Sequence, residues 1–231
     1  MVADAALNYL SAGKPPTSYP NNKYWPFLGR DTTAQALTWT FYLLMRNPSK
    51  LKAIKQEISA VLRSVPSHDP PKVHTAVFRP ASMPYVMAVF YEALRLYPPV
   101  PFELKQCEQA TTLPDGTFLP KNAVLLWCTW AMNRSRLIWG DDADIFRPER
   151  WLEDGNLTSK TAYEYPVFNG GPRMCLGKKM AEAVAVQVIA TLVSKFDFKA
   201  VDDRERISKN SLTLPMEGGL PCYVSLHIQS R

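Results

Sequence analysis

One of the four cysteines stands in a glycine-rich segment, FNGGPRMCLG, that spans residues 168–177. The glycines permit backbone turns that other residues resist. Because a helix with apolar periodicity follows, Cys175 is predicted to lie at or just before a helix N-terminus, where the helix dipole and free N–H groups favour a thiolate. A thiolate held in this way suits a soft or borderline metal ion. The alternative interpretation is a buried cysteine with a purely structural role.

A second candidate group is an acid beside a hydroxyl, Asp31 and Thr32, in a predicted apolar helix over residues 29–45. The pair has the chemistry for general acid catalysis, in which positioned donors pass protons to a reacting group. The alternative is a buried threonine whose hydroxyl bonds back to a carbonyl of its own helix. The dipeptide Asn47-Pro48 is predicted to end this helix, because a residue before proline avoids the helical conformation.

Glu92 and Arg95 are an oppositely charged pair on another predicted helix. This helix is predicted to be capped by Ser82, to have Pro84 in its first turn and to end near Leu96. Their i, i+3 spacing places both side chains on one face. On an exposed surface such a pair would contribute only about a few tenths of a kcal/mol. The pair gains significance from its place in the chain, between the acid–hydroxyl helix and the cysteine segment.

The remaining patterns predict a mainly α-helical fold with small β-sheets. Apolar periodicity predicts helices over 49–63 and 178–196. Residues 112–127 predict short strands around the Asp115-Gly116 turn, and residues 214–220 predict either a final hairpin or a plain surface turn. The core face of the last helix is predicted to consist of Ala181, Val184, Val188 and Leu192.

Composition bounds the possible functions. A chain of 231 residues is long enough to bury a sizeable core. The four cysteines form no C-x-x-C pair and the three histidines are scattered, so neither a disulfide framework nor a histidine metal site is expected. The net charge of +6 without a long basic run favours an acidic partner surface weakly and argues against nucleic acid. No apolar segment is long enough to cross a membrane, and no signal peptide is predicted.

Five motifs in this order are similar to those of the cytochromes P450. They are the acid–hydroxyl helix, the Glu-x-x-Arg helix, the segment 148–151 (PERW), the cysteine segment and the final turn. The chain resembles the C-terminal half of a P450, from the distal helix to the C-terminus, so that residues 1–231 form one partial domain. The most specific match is the family's cysteine-ligand loop, which agrees position for position at Phe168, Gly171, Arg173, Cys175 and Gly177.

The resemblance implies a bound haem b. In the family, the sulfur at the position of Cys175 binds the haem iron axially, and its electron donation favours O–O cleavage. Arg173 would pair with a haem propionate, and Phe168 would shield the sulfur. Lys105 falls where many family members place a second basic residue on a propionate, and an exposed lysine with no ligand is the alternative.

The same resemblance gives roles to the other motifs. Asp31 and Thr32 would lie over the haem face that binds dioxygen, where the hydroxyl delivers protons and the acid supplies them. Glu92 and Arg95 would join Arg150 in a buried network that fixes the scaffold behind the haem. Such a network needs all its members, because removal of one leaves a buried charge uncompensated.

The activity implied is that of a haem-thiolate monooxygenase, which inserts one oxygen atom of O2 into a C–H bond of a lipophilic substrate. The residues of these motifs are most similar to those of fungal alkane and fatty-acid hydroxylases. The expected partner is NADPH-cytochrome P450 reductase. It would bind a basic surface of this chain that includes Lys178 and Lys179. The expected location of a full-length member is the cytosolic face of the endoplasmic reticulum membrane, whereas this chain is expected to have no membrane anchor.

Residues 13–28 depart from the family pattern. They contain Pro15, Pro16, Pro20 and Pro26 where the family has uninterrupted helix, and Leu28 stands where a small residue is usual. Joining Ala12 directly to Gly29 restores the pattern, which supports the hypothesis that 13–28 is a translated, unspliced intron. The alternative is a genuine surface loop before a shorter helix. Sequencing of the spliced transcript distinguishes the two.

The chain is about half the length expected of a full family member, which leaves three interpretations. The first is a monooxygenase seen as a truncated gene product. The second is a truncated, non-catalytic haem-binding or interaction fragment. The third is a structural domain in which Cys175 is an ordinary buried cysteine.

Overall fold

The computed structural model describes residues 27–64, 77–209 and 211–227, with side chains from residue 29 onward. Within these ranges the chain is rich in helices and carries small antiparallel sheets, which confirms the predicted fold class. Residues 1–26, which include most of the suspected insert, lie outside the described residues, so the intron hypothesis stays a prediction. No helix of the described part of the chain is long and apolar enough to span a membrane.

Three long helices precede the sheets and a fourth follows the cysteine segment. Proline occupies the first helical position of α2 and α3, where its missing N–H costs no hydrogen bond. The α-helices of the described residues are α1 (Thr32–Arg46), α2 (Pro48–Arg63), α3 (Pro84–Leu96), α4 (Thr129–Met132), α5 (Arg136–Trp139) and α6 (Lys178–Lys195).

The first helix does not begin as predicted. A π-helix, Phe27–Asp31, runs directly into α1, so Asp31 is the last residue of the π-helix and Thr32 the first of the α-helix. Isolated π-turns are rare and are often found at functional sites. The wider turn therefore lies where the sequence placed its acid–hydroxyl pair.

The strands form four two-stranded antiparallel sheets. β1 pairs with β4, and β2 with β3, around the predicted Asp115-Gly116 turn. β5 pairs with β6 and β7 with β8. The strand bounds are β1 (Phe102–Gln106), β2 (Thr111–Thr112), β3 (Phe118–Leu119), β4 (Val124–Cys128), β5 (Leu152–Glu153), β6 (Asn156–Leu157), β7 (Phe196–Ala200) and β8 (Cys222–Leu226).

Helix α3 lies at the centre of the core. Its residues from Val86 to Leu96 are buried apart from Tyr91, which is half-buried. It packs against α1, α2 and α6 and against the segment around Pro148–Trp151. Both members of the Glu92–Arg95 pair are therefore carried into the interior by the most buried helix of the described chain.

The expected cap of α3 is wrong. Ser82 ends a short 3₁₀ helix and donates to the carbonyl oxygens of Val77 and Arg79. The N-terminal amides of α3 are bound instead by the Glu57 carboxylate of α2, at 2.8 Å from Tyr85 N and 2.9 Å from Val86 N. A carboxylate at a helix N-terminus satisfies free N–H groups and complements the dipole.

The predicted core face of α6 is also wrong. Val184 is 39 % exposed, and Val188 and Leu192 are only half-buried. The buried face is set by five other residues, Ala185, Val186, Ile189, Ala190 and Val193. Both faces of this helix are apolar, so periodicity alone could not choose between them.

The final turn is anchored to the helical core. Leu214 accepts a 2.8 Å hydrogen bond from the indole of Trp39 in α1, and its N–H donates to the Pro99 carbonyl at 3.0 Å. Met216 forms an isolated β-bridge with Ser208. The segment thus lies beside the exit from α3.

Candidate functional site

The cysteine segment is a sequence of tight turns that leads into α6. Two 3₁₀ helices, Pro166–Phe168 and Gly171–Arg173, are separated by Asn169 and Gly170. Asn169 and Gly171 both have φ of 59°, a positive value that residues other than glycine rarely adopt. A Cβ at Gly170 would lie 2.6 Å from the Cβ of Ala162. The residue types of the segment are therefore dictated by its backbone path.

Cys175 is held by its backbone while its side chain stays accessible. Its N–H donates a 2.7 Å hydrogen bond to the carbonyl of Phe168, and Lys178 N donates to the Cys175 carbonyl at 3.4 Å. The residue is exposed and its thiol forms no disulfide. A Cβ at Gly177 would lie 3.8 Å from Sγ, so glycine leaves this side of the sulfur open.

Phe168 links the cysteine segment to the core. Its ring contacts the rings of Tyr91 and Tyr165, each with a centroid separation of 6.4 Å. The Lys178 ammonium lies over the same ring at 5.5 Å from its centroid. The ring of Phe168 is thus fixed by aromatic neighbours at the point where its carbonyl holds the Cys175 amide.

Lys105 and Arg173 form a cationic pair beside the loop. Lys105, on β1, donates from Nζ to Asn169 Oδ1 at 3.0 Å and lies over the Trp127 ring. Burial lowers the pKa of Lys105; the carboxylate of Glu103 opposes this shift and the positive charge of Arg173 adds to it. Two half-buried cations close enough to repel each other favour an anionic group between or beside them.

Asp31 and Thr32 lie at the start of α1. Asp31 is about one-third exposed, and its carboxylate lies 3.9 Å from Nε of Arg30. A Cβ at Gly29 would lie 3.7 Å from the terminal methyl of Met180 in α6. The turn that precedes Asp31 therefore packs beside the helix that follows Cys175.

Glu92 is the centre of a buried ionic network. Its carboxylate accepts hydrogen bonds from Nε and Nη2 of Arg95 at 2.9 and 2.8 Å, and from Nε of Arg150 at 3.0 Å. The Arg147 amide and the Trp151 indole add two more donors, each at 2.9 Å. The side chains of Glu92 and Arg95 are fully buried, and that of Arg150 is 5 % exposed. The structure brings Glu92, Arg95 and Arg150 together as one unit.

The two arginines also bind the segment 133–145, on either side of the short helix α5. Arg95 Nη1 donates to the Asn133 carbonyl at 2.7 Å, and Nη2 donates to the Ile145 carbonyl at 3.1 Å. Arg150 Nη2 donates to the Asp142 carbonyl at 2.9 Å, and the Asp142 carboxylate accepts from Nη1 at 3.2 Å. The network thus ties this segment, whose only helix in the described structure is the single-turn α5, to the central helix.

Sequence reasoning missed three members of this network, namely Asp142, Arg147 and Trp151. Arg147 contacts Glu92 only through its backbone N–H, which no residue type reveals, and its guanidinium pairs with the Asp142 carboxylate at 2.8 Å. Trp151 directly follows Arg150 in the chain, and a buried tryptophan usually finds a partner for its indole N–H. That rule was the one available signal.

The donor set beside Cys175 fits a haem-sized group. It combines an accessible soft donor, two cations and an exposed apolar stripe along the start of α6, formed by Leu176, Met180 and Val184. The described residues contain no group of three or more histidine, cysteine, aspartate or glutamate side chains that could hold a bare metal ion.

The sequence profile described as Cytochrome P450 matches residues 27–222. The chain belongs to the cytochrome P450 family. Among curated proteins, this P450 chain is 40 % identical over 197 residues to Cytochrome P450 86B1 of Arabidopsis thaliana, covering 83 % of the chain and 35 % of that protein. It is 36 % identical over 234 residues to Cytochrome P450 94A1 of Vicia sativa, covering 96 % of the chain and 43 % of the relative.

A third P450 relative carries an activity in its name. Alkane hydroxylase MAH1 of Arabidopsis thaliana is 34 % identical over 201 residues, which cover 87 % of the chain and 38 % of that protein. The chain thus spans between 35 % and 43 % of the length of these relatives. All three are plant proteins, so the expected similarity to the fungal branch is not supported.

Proposed function

We propose that the protein is a haem-thiolate monooxygenase with Cys175 as the axial ligand of haem b. The observation that carries the proposal is the Cys175 thiol, accessible and unpaired at the N-terminus of α6 in a loop whose backbone bonds and glycines leave the sulfur open. Membership of the cytochrome P450 family supports the same assignment. The reaction would place one atom of O2 in a C–H bond and release the other as water, with two electrons from NADPH.

The residues around Cys175 supply what a haem requires. Arg173 and Lys105 would pair with its propionates, and the half-buried Lys105 ammonium has two donors besides the one given to Asn169. Phe168 would lie beside the sulfur. Met180 and Val184 would contact the apolar macrocycle, which accounts for their exposure. When bound, a haem held by a cysteine thiolate activates dioxygen, because sulfur electron donation favours O–O cleavage.

Asp31 and Thr32 would supply protons to the reaction. Asp31 is exposed enough to take protons from solvent, and Arg30 holds a positive charge beside its carboxylate. The adjacent Thr32 hydroxyl would hold and donate a proton at the start of α1, which is general acid catalysis by a positioned donor. Since the π-helix widens the backbone at this point, we assign it the task of aiming the Thr32 side chain.

The Glu92–Arg95–Arg150 network would act as the rigid support of the site. It joins α3 to the Pro148–Trp151 turn and to the segment before it, and the aromatic rings of Tyr91 and Phe168 connect α3 to the cysteine loop. Its role is positional, because none of its side chains is exposed to a ligand.

The substrate class is aliphatic in this proposal. The similarity to a protein named alkane hydroxylase favours an alkane or fatty-acid chain. The electron donor would be NADPH-cytochrome P450 reductase, docked on the face where Lys179 is exposed at the start of α6. Location at the cytosolic face of the endoplasmic reticulum is proposed for the whole protein.

The second candidate is a haem-binding fragment that does not turn over. The observation that favours it is the open apolar face of the β1–β4 hairpin, where Phe102, Leu104, Val124 and Leu126 are each more than half exposed. Such a face is normally covered in an active enzyme.

Turnover with isotopic oxygen distinguishes the two candidates. The protein is incubated with haem, reductase, NADPH, a long-chain alkane or fatty acid and ¹⁸O₂, and products are analysed by mass spectrometry. The monooxygenase proposal expects one ¹⁸O atom per hydroxylated product, with loss of product in Thr32→Ala. Haem uptake without any labelled product would favour the non-catalytic fragment.

A further inference from the structure

The face of β1 that points to the cysteine loop carries an acid and a base in close succession. Glu103 and Lys105 are two residues apart on one strand, so their side chains project from the same face. Both are half-buried. Left to themselves, a flexible lysine and a carboxylate in this position would pair directly. The described residues nevertheless show no ion pair between them within 4.0 Å.

The side chain of Asn169 lies between the two charges. Its Oδ1 accepts from Lys105 Nζ at 3.0 Å, and its Nδ2 donates to Glu103 Oε2 at 3.3 Å. The same Oδ1 accepts the Gly170 amide at 3.0 Å. Only this orientation of the amide suits both neighbours, because an ammonium can only donate and a carboxylate can only accept.

The backbone of Asn169 is specialised for this task. Its φ of 59° and ψ of −170° are a combination that residues other than glycine rarely adopt. This conformation connects the two 3₁₀ helices of the cysteine loop while its side chain reaches β1. The amide therefore fastens the loop to the strand at the same point where it separates two opposite charges.

We propose that Asn169 is a positioning residue that keeps the Lys105 ammonium away from Glu103 and directs it, beside Arg173, toward an anionic group of the bound cofactor. The inference rests on the proposed function, because it assumes a haem with carboxylate groups at Cys175. Asn169 uses one of three ammonium donors and adds no charge. A direct ion pair between Glu103 and Lys105 would neutralise the ammonium that the carboxylate of the cofactor needs.

The test measures the rate at which ferric haem leaves the intact protein for an excess of apomyoglobin. Asn169→Gly removes the amide and keeps the positive-φ backbone, and is expected to accelerate haem loss about tenfold, the effect of losing one charged hydrogen bond. Adding Glu103→Gln to Asn169→Gly should restore slow loss, because nothing then draws Lys105 away. In a Lys105→Met background, Asn169→Gly should have no further effect.

Each outcome decides between specific explanations. Fast loss that Glu103→Gln does not correct, or equal acceleration with and without Lys105, would mean that Asn169 acts only on the loop backbone and would overturn the proposal. If Asn169→Gly does not fold, the single variants still decide: Lys105→Met must accelerate loss and Glu103→Gln must not. A wild-type protein without a thiolate-type carbon monoxide spectrum would overturn the proposed function itself, whatever the variants do.

Discussion

The indole N–H of Trp151 donates a 2.9 Å hydrogen bond to Oε2 of Glu92, the same carboxylate oxygen that accepts from Nε of Arg95. The other oxygen, Oε1, accepts from Arg95, Arg147 and Arg150. The buried carboxylate is therefore saturated by five donors from two segments that lie far apart in the sequence. Its fixed position makes it the junction between the central helix and the turn that leads to the cysteine loop.

Glu92→Gln should be among the most damaging conservative substitutions in this chain. It removes the negative charge that compensates Arg95 and Arg150, both almost fully buried, and turns one acceptor into a donor. We expect a loss of about 3–5 kcal/mol in the free energy of unfolding, measured by urea denaturation.

The control uses a surface charge pair with the same shortest N···O distance, 2.8 Å, as Arg95 and Glu92. Lys50 contacts Glu149 at 2.8 Å, but the glutamate side chain is 45 % exposed. Lys50→Ala should cost less than about 1 kcal/mol. Equal losses for the two substitutions would show that burial does not control the strength of the Glu92 network.

Trp151→Phe tests the contribution of the indole donor separately. Phenylalanine keeps most of the ring that packs against Tyr91 and Tyr165, and loses the N–H. We expect about 1.5–3 kcal/mol of destabilisation, as for other hydrogen bonds to charged groups. Trp139→Phe is the control, because the Trp139 indole nitrogen is buried and has no hydrogen-bond partner in the described structure. A larger loss for Trp139→Phe would contradict the account.

The sequence predicted the helices better than the contacts between them. The ends of α1 and α3 follow from Asn47-Pro48 and Pro98-Pro99, because proline restricts the residue before it. The i, i+3 spacing brought Glu92 and Arg95 to one helical face. Both are local rules that act within a few residues, and they require no knowledge of the tertiary structure.

The predictions that were wrong depended on tertiary contacts. Ser82 has the right chemistry for a cap, yet Glu57 from another helix takes that role. Val184 has the right periodicity for the core of α6, yet it lies on the exposed side, where a cofactor could cover it. The residue that binds the start of α3 and the group that could cover Val184 both lie outside the helix concerned. Spacing within one helix could therefore not identify them.

The Gly170 position allows a test of packing within the cysteine loop. Its backbone is extended, so the clash of a Cβ with Ala162 at 2.6 Å, rather than backbone strain, excludes larger residues. Gly170→Ala should destabilise the protein by about 1–3 kcal/mol in urea denaturation. Ala162→Gly should restore most of this loss.

Gly171 provides the control for this pair. It has a φ of 59° and open space around its Cβ position, so Gly171→Ala is strained without a clash. Ala162→Gly should therefore not rescue Gly171→Ala. Rescue of both variants, or of neither, would argue against a specific contact between Gly170 and Ala162.

Glu57 should give the stability of α3 a distinct pH dependence. Burial raises the pKa of Glu57 above its usual value near 4.5, and the amides of Tyr85 and Val86 offset this only in part. As pH rises above that usual value, the unfolded chain releases its proton first, which favours unfolding. The contribution of Glu57 to stability is therefore full below the usual value and falls until pH passes the raised pKa of the folded state.

Urea denaturation of wild type and Glu57→Gln across this pH window checks the sign. The free energy of unfolding of wild type, minus that of the variant, should decrease with rising pH within the window and be constant outside it. An increase with pH would mean that the two amide hydrogen bonds outweigh burial and lower the pKa of the carboxyl group.

The binding of haem iron by Cys175 can be read from the carbon monoxide difference spectrum of the reduced, haem-loaded protein. We predict the red-shifted Soret band of thiolate ligation in wild type and in Cys128→Ala, whose half-buried cysteine lies on β4, and its loss in Cys175→Ala. A band of nitrogen ligation in wild type, no haem uptake, or a red-shifted band that survives in Cys175→Ala would contradict the claim.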